Sequence, residues 1–155
     1  MKSPVLMIAF CRYQTTKKVF DAVRKAQPNR FYIALDAPRN TNEQIKCDEV
    51  KSIFDNIDWE CNVNLLIQDK NQGCSMGPYK AISWFFEKES EGIILEDDII
   101  PNEDFFSFCD DMLDKYRDDD RIQQICGWNY FYDGCSIDYK YSYYYCFYRM
   151  VFSLF

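Results

Sequence analysis

Three carboxylates stand in a row at Glu96-Asp97-Asp98, directly after the apolar run Gly92-Ile93-Ile94-Leu95. Adjacent carboxylates at the end of a buried strand repel one another, so an opposite charge must compensate them. A divalent cation would do so. Mg²⁺ and Mn²⁺ take hard oxygen ligands and commonly combine one or two carboxylates with substrate phosphates. The other use of an acidic triplet is a solvated turn, and the residues alone leave both readings open. Asp118-Asp119-Asp120 follows no apolar strand and reads as a solvated turn without a role.

Other chemistries are excluded by what the chain lacks. It has no histidine, which removes a Ser-His-Asp triad, a Cys-His pair and a His-ligated zinc site. None of its eight cysteines is spaced as C-x-x-C, so a zinc ribbon or thioredoxin motif is not expected. Cys11 and Cys74 fall near candidate site residues but have no evident activating base, and are assigned to packing. After the first apolar run comes Phe10-Cys11-Arg12-Tyr13. That is neither a dinucleotide-binding nor a Walker glycine loop, and it lacks the acidic pair of a receiver domain. The formal charge is −7, which argues against nucleic acid as a partner. Residues 1–86 carry 12 basic and 9 acidic side chains, whereas residues 87–155 carry 6 and 16. The acid is concentrated where the triplet lies.

The elements that must position these groups alternate. Strands are expected at Val5–Phe10, Arg30–Leu35, Asn62–Gln68, Gly92–Leu95 and Ile122–Cys126. The first helix is capped by Thr15 or Thr16, presents Val19, Phe20, Val23 and Ala26 inward, and stops at Pro28. The second is capped by Asn42 and buries Ile45, Val50, Ile53 and Phe54. The third has Pro78 in its first turn. The fourth, Glu103–Tyr116, buries Phe105, Phe108, Cys109, Met112 and Tyr116. This alternation implies an α/β chain with a mostly parallel, doubly wound sheet. Ligands of such sheets bind outside the carboxyl ends of the strands, where Arg12, Asp36, Lys70, Asn71 and Glu96-Asp97-Asp98 collect.

The stretches Pro4–Arg12, Thr15–Phe20 and Leu35–Arg39 resemble the N-terminal half of bacterial GT-A glycosyltransferases, as do Asn71-Gln72-Gly73-Cys74 and Gly92–Phe106. Glu96-Asp97-Asp98, followed by Pro101 and Phe105-Phe106, is similar to the acidic motif of the N-acetylglucosaminyltransferase I type. The resemblance spans roughly residues 4–129. It implies a nucleotide-diphospho-sugar donor, most often UDP-linked, and a Mn²⁺ or Mg²⁺ ion held directly by Asp98. By the same resemblance Asp97 touches the ribose or donor sugar and Glu96 orients its neighbours. Phe10, Arg12 and Asp36 line the base and ribose pocket, and Lys70, Asn71 and Gly73 lie near the diphosphate or sugar. Read without it, Arg12 is equally a solvated loop cation, Asp36 and Lys70–Gly73 are turn residues, and Trp128 is packing rather than a sugar platform.

Two regions are thus expected, a nucleotide-sugar-binding part over 1–129 and an aromatic-rich tail over 130–155. The tail holds 12 aromatic residues, eight of them tyrosine. The resembling enzymes continue there into an acceptor-binding half, so the expectation is an incomplete acceptor region. No catalytic base can be named, although Asp133 and Asp138 are nearby acids. The acceptor, a glycan or other molecule, is not specified. Either self-association through residues 139–155 or poor solubility is expected. Three functions remain open: a metal-dependent glycosyltransferase donor domain, a binding-only or inactive remnant, and a nucleotidyltransferase. The first apolar run is too short to span a membrane and has no cleavage site after it. The expectation is therefore a cytoplasmic chain with no transmembrane segment and reduced, mostly buried cysteines.

Overall fold

The computed structural model describes residues 1–127 and the backbone of 150–152. Its core is four parallel strands, β1 (Val5–Ala9), β2 (Arg30–Leu35), β3 (Asn62–Ile67) and β4 (Gly92–Glu96). The short β5 (Gln124–Cys126) and β6 (Met150–Phe152) extend it. The sheet order is β3-β2-β1-β4-β6-β5, and every pairing is parallel. The expected α/β class with helices on both faces is therefore present, in a Rossmann-like arrangement.

The period-2 alternation of strand side chains sorts the core into two layers. Val5, Met7, Phe31, Ile33, Ile93 and Leu95 point to one face. They pack beneath α1 (Tyr13–Ala26), α2 (Thr41–Ile53) and α4 (Phe105–Lys115). Leu6, Tyr32, Ala34 and Ile94 point to the other face, beneath Ala81 and Phe85 of α3 (Gly73–Phe86). A strand covered on both sides must be apolar throughout, which is why Val5–Ala9 is an unbroken run. Gly92 opens β4 because a Cβ there would lie 2.4 Å from the Phe85 ring.

Several element boundaries differ from the sequence expectation. α1 begins at Tyr13, and the Thr15 and Thr16 hydroxyls donate back to the Arg12 carbonyl rather than capping the helix. Asn40, not Asn42, caps α2 by accepting from the Glu43 amide at 3.0 Å. Ile45 stands exposed on that helix, while Val50 and Ile53 are buried. α3 begins at Gly73, so Pro78 lies inside it. α4 begins at Phe105 and buries Phe105, Phe106, Cys109 and Leu113, leaving Phe108 exposed. Both stripes fit the 3.6-residue period; the one at 105/106/109/113 is the one that packs on the sheet. The six described cysteines are free, as expected, but not mostly buried: among them only Cys109 is. Among the described residues no helix is long and apolar enough to cross a membrane. Trp128, Asp133, Asp138 and nearly all of the 130–155 tail lie outside the described residues.

Candidate functional site at the carboxyl edge of the sheet

β1 lies between β2 and β4, and the chain order changes direction there. In an open parallel sheet the crevice at that switch point is the usual ligand position. Two groups of the expected residues meet along this edge.

The first group joins the ends of β1 and β4. A turn follows β4, closed by the Ile99 amide donating to the Glu96 carbonyl at 3.3 Å. It turns Asp97 inward and holds Asp98 beside it. Asp97 is only 2% exposed. Its Oδ2 accepts from the Phe10 amide at 3.1 Å, and its Oδ1 accepts from Arg12 Nε at 3.0 Å and from the Arg12 terminal nitrogen. Arg12 reaches Asp98 Oδ2 through its other terminal nitrogen at 2.8 Å. The guanidinium fork therefore spans two adjacent carboxylates, a geometry that suits arginine rather than lysine. The buried Thr16 hydroxyl donates to the Arg12 carbonyl at 2.6 Å and fixes the backbone from which the fork projects.

This pairing answers the repulsion that the acidic triplet poses. Much of the compensating charge comes from Arg12, which is exposed but held by both carboxylates rather than left as a free loop cation. The hydrogen bond to Asp97 holds its guanidinium charged even more firmly than usual. Glu96 is not relieved to the same extent. Burial, then the negative charges of Asp98 and Asp97, raise its carboxyl above the ordinary value despite Arg12.

The second group joins the end of β2 to the start of α3. The Asp36 carboxylate accepts from the amides of Ala37 at 2.9 Å, Gln72 at 2.9 Å and Gly73 at 3.2 Å. It thereby caps α3 from another strand and satisfies amides that have no partner within the helix. Gly73 adopts φ +74°, the left-handed region in which glycine carries no penalty. The Asn71 side-chain amide donates to the Ala37 carbonyl at 2.7 Å and ties the same two loops together. Lys70 is exposed beside them. The two groups adjoin, since the Asp36 amide donates to the Ala9 carbonyl of β1 at 3.2 Å.

One participant had no role in the sequence reading. Arg39, after β2, places its guanidinium 5.7 Å from the centre of the Phe10 ring, within cation–π range. Glu43 holds it there by accepting from Arg39 Nε, and also accepts from the Arg39 backbone amide at 2.8 Å. The visible signal was Glu43 three residues after Asn40, the spacing of a helix-capping pair. An open cleft lies between the start of α1 and α2, lined by Arg12, Tyr13, Thr15, Lys46 and Glu49 among others. Burial raises the thiol of Cys11 on its wall, leaving it unactivated.

The three carboxyls of the triplet do not converge on one point. Among the described residues no three acidic, Cys or His side chains form a group able to hold a metal ion. One ligand position does fit a hard cation: Asp98 Oδ1 is buried and accepts no hydrogen bond. A divalent ion here would take one protein oxygen and complete its shell with phosphate and water. Comparison with protein-family models, curated proteins and solved structures finds no match for this chain.

Proposed function

We propose that the chain is the donor-binding part of a metal-dependent glycosyltransferase of GT-A type that uses a nucleotide-diphospho-sugar, a UDP-sugar. The observation carrying this reading is the Arg12–Asp97–Asp98 constellation at the β1/β4 switch point, in which the buried Asp98 Oδ1 has no hydrogen-bond partner. Asp98 would hold Mn²⁺ or Mg²⁺, which when bound neutralises charge on the leaving nucleoside diphosphate. Arg12 would swing from Asp98 toward phosphate, whose paired oxygens its planar fork also matches. The first turn of α1 has no side-chain cap and no acidic residue, and Tyr13 and Thr15 of that turn line the open cleft beside Arg12. Such helix starts favour phosphate. The Phe10 ring under Arg39 supplies an apolar face for a base. Asp36 has a second task here, since its carboxylate already holds the start of α3.

Calorimetric titration with UDP, with and without Mn²⁺, tests the reading. The wild-type chain should bind UDP more tightly with Mn²⁺, and Asp98→Asn should abolish that difference while retaining the fold. Equal affinity of the two chains in Mn²⁺ removes Asp98 from the metal role. The second reading is a nucleotide-binding fold without transfer, favoured by the way Arg12 already neutralises Asp97 and Asp98. It requires UDP binding that ignores Mn²⁺ and fails in Arg12→Ala.

A further inference from the structure

We propose that the open edge of the sheet at β3 is the interface of a two-fold homodimer, in which β3 pairs antiparallel with β3 of a second copy about Leu65. Among the described residues β3 is hydrogen-bonded to β2 alone. The Asn62 and Gln68 amides donate toward β2, to the Asn29 and Leu35 carbonyls. By strand alternation the backbone groups of Val63, Leu65 and Ile67 point the other way, along the free edge. Open edges are ordinarily blunted by proline, an inward charge or a bulge. The stretch Asn62-Val63-Asn64-Leu65-Leu66-Ile67 has neither proline nor charge, and its register with β2 is unbroken.

The side chains of the same three residues form a stripe. Val63, Leu65 and Ile67 are 44%, 48% and 47% exposed, beside the buried Phe31, Ile33 and Leu35 of β2. Among the described residues, the layer that α1 and α2 cover over β1 and β2 is left open over β3. A second copy is the occupant that fits, because the edge is complementary to itself. With Leu65 opposite Leu65 of the other copy, Val63 faces Ile67, and each facing pair exchanges both backbone hydrogen bonds. The stripe then continues across the junction on one face. Beyond the strand, the same register brings Asn62 opposite Gln68 and Glu60 opposite Lys70, so the flanking charges are opposite in sign. A shift by one residue would lose all of these matches together. The isologous contact closes at two copies and leaves no further edge of this kind.

Sedimentation of the full chain at micromolar concentration tests the proposal. The wild type should form a concentration-dependent dimer. Leu65→Lys should be monomeric, and Leu65→Thr, which keeps strand propensity, should weaken the dimer on the order of tenfold. Circular dichroism should show both variants folded. Glu60→Lys and Lys70→Glu should each weaken association, and the double variant should restore it. A wild-type monomer, or assembly that grows beyond two copies, overturns the proposal. A dimer that survives Leu65→Lys overturns it too and moves association to another surface such as the aromatic tail. Failure of the double charge reversal to restore the dimer refutes the register about Leu65.

Discussion

Asp36 and Asp97 occupy equivalent positions, each just past the carboxyl end of a parallel strand, yet they hold the fold in different ways. Asp36 takes backbone amides from the loop and helix start it caps. All its partners are fixed dipoles of the main chain, so the junction is rigid and closed. Asp97 takes one amide, from Phe10, and otherwise leans on the exposed guanidinium of Arg12. Arg12 is itself 54% exposed, so a ligand can reach it. A carboxylate satisfied by amides reads as a joint; one satisfied by an exposed arginine reads as a place where a ligand can exchange for a partner. The neighbouring Asp98 Oδ1, buried without a partner, belongs to the exchangeable station.

The comparison is broken most severely at Asp97. Asp97→Ala leaves the Phe10 amide without its acceptor and frees Arg12 of its main partner. Removing one member of a buried pair costs about 3 kcal/mol, taken at the low end because Arg12 is half exposed. Urea unfolding of the two chains measures it. A loss no larger than that of an ordinary surface substitution would show that Arg12 and Asp97 do not pair in solution.

Asp36→Ala should cost less, on the order of 2 kcal/mol, because it strands amides rather than a charge. Asp36→Asn keeps an acceptor oxygen and should recover about half of that loss. The same unfolding series reads both. If Asn is no better than Ala, the junction depends on the charge of Asp36 and resembles the Asp97 station after all.

These two stations also show how much was legible beforehand. β1, β2 and β4 could be read because strands buried on both faces are continuous apolar runs, and Val5–Ala9 and Gly92–Leu95 have no other use. The gathering of Arg12 and the acidic triplet at one edge followed from strand ends alone. The start of α3 could not be read that way. Its cap, Asp36, lies just past the end of β2, far away in sequence, and Pro78 offered a local signal that the distant cap overrides. The partner of Arg12 was hidden for the same reason, since 85 residues separate it from Asp97. Helix faces were misjudged where hydrophobic residues outnumber the buried positions available. Ile45 and Phe108 fit an apolar period but lie beyond the reach of the sheet.

Gly73 sharpens the contrast from the backbone side. A Cβ there meets nothing within 4 Å, so Gly73→Ala tests only the left-handed backbone at φ +74°. The expected loss is about 1 kcal/mol, the lower end of the penalty for a side chain in that region. Thermal unfolding should show it as a small drop in Tm. No drop would mean that the start of α3 relaxes out of that conformation readily, and that the Asp36 junction is less rigid than its hydrogen bonds imply.

Glu96 gives the smallest effect and the opposite sign. Burial and the charges of Asp98 and Asp97 raise its carboxyl above the ordinary value in the folded chain. The folded state therefore holds the Glu96 proton more tightly than the unfolded state does. That contribution favours folding fully below the ordinary carboxylate range and is lost as pH rises through the elevated folded value. At neutral pH the ionised Glu96 is a burden on the exchangeable station that Arg12 does not fully relieve. Glu96→Gln removes it while keeping a side chain of the same shape. The variant should be slightly more stable than the wild type at pH 7, and the advantage should shrink toward zero as pH falls to about 4, near the unfolded carboxyl value. Unfolding midpoints across that interval measure the difference. A Glu96→Gln chain less stable than the wild type at pH 7 would mean that ionised Glu96 is engaged by a cation, and that the station is less exchangeable than the Arg12 geometry indicates.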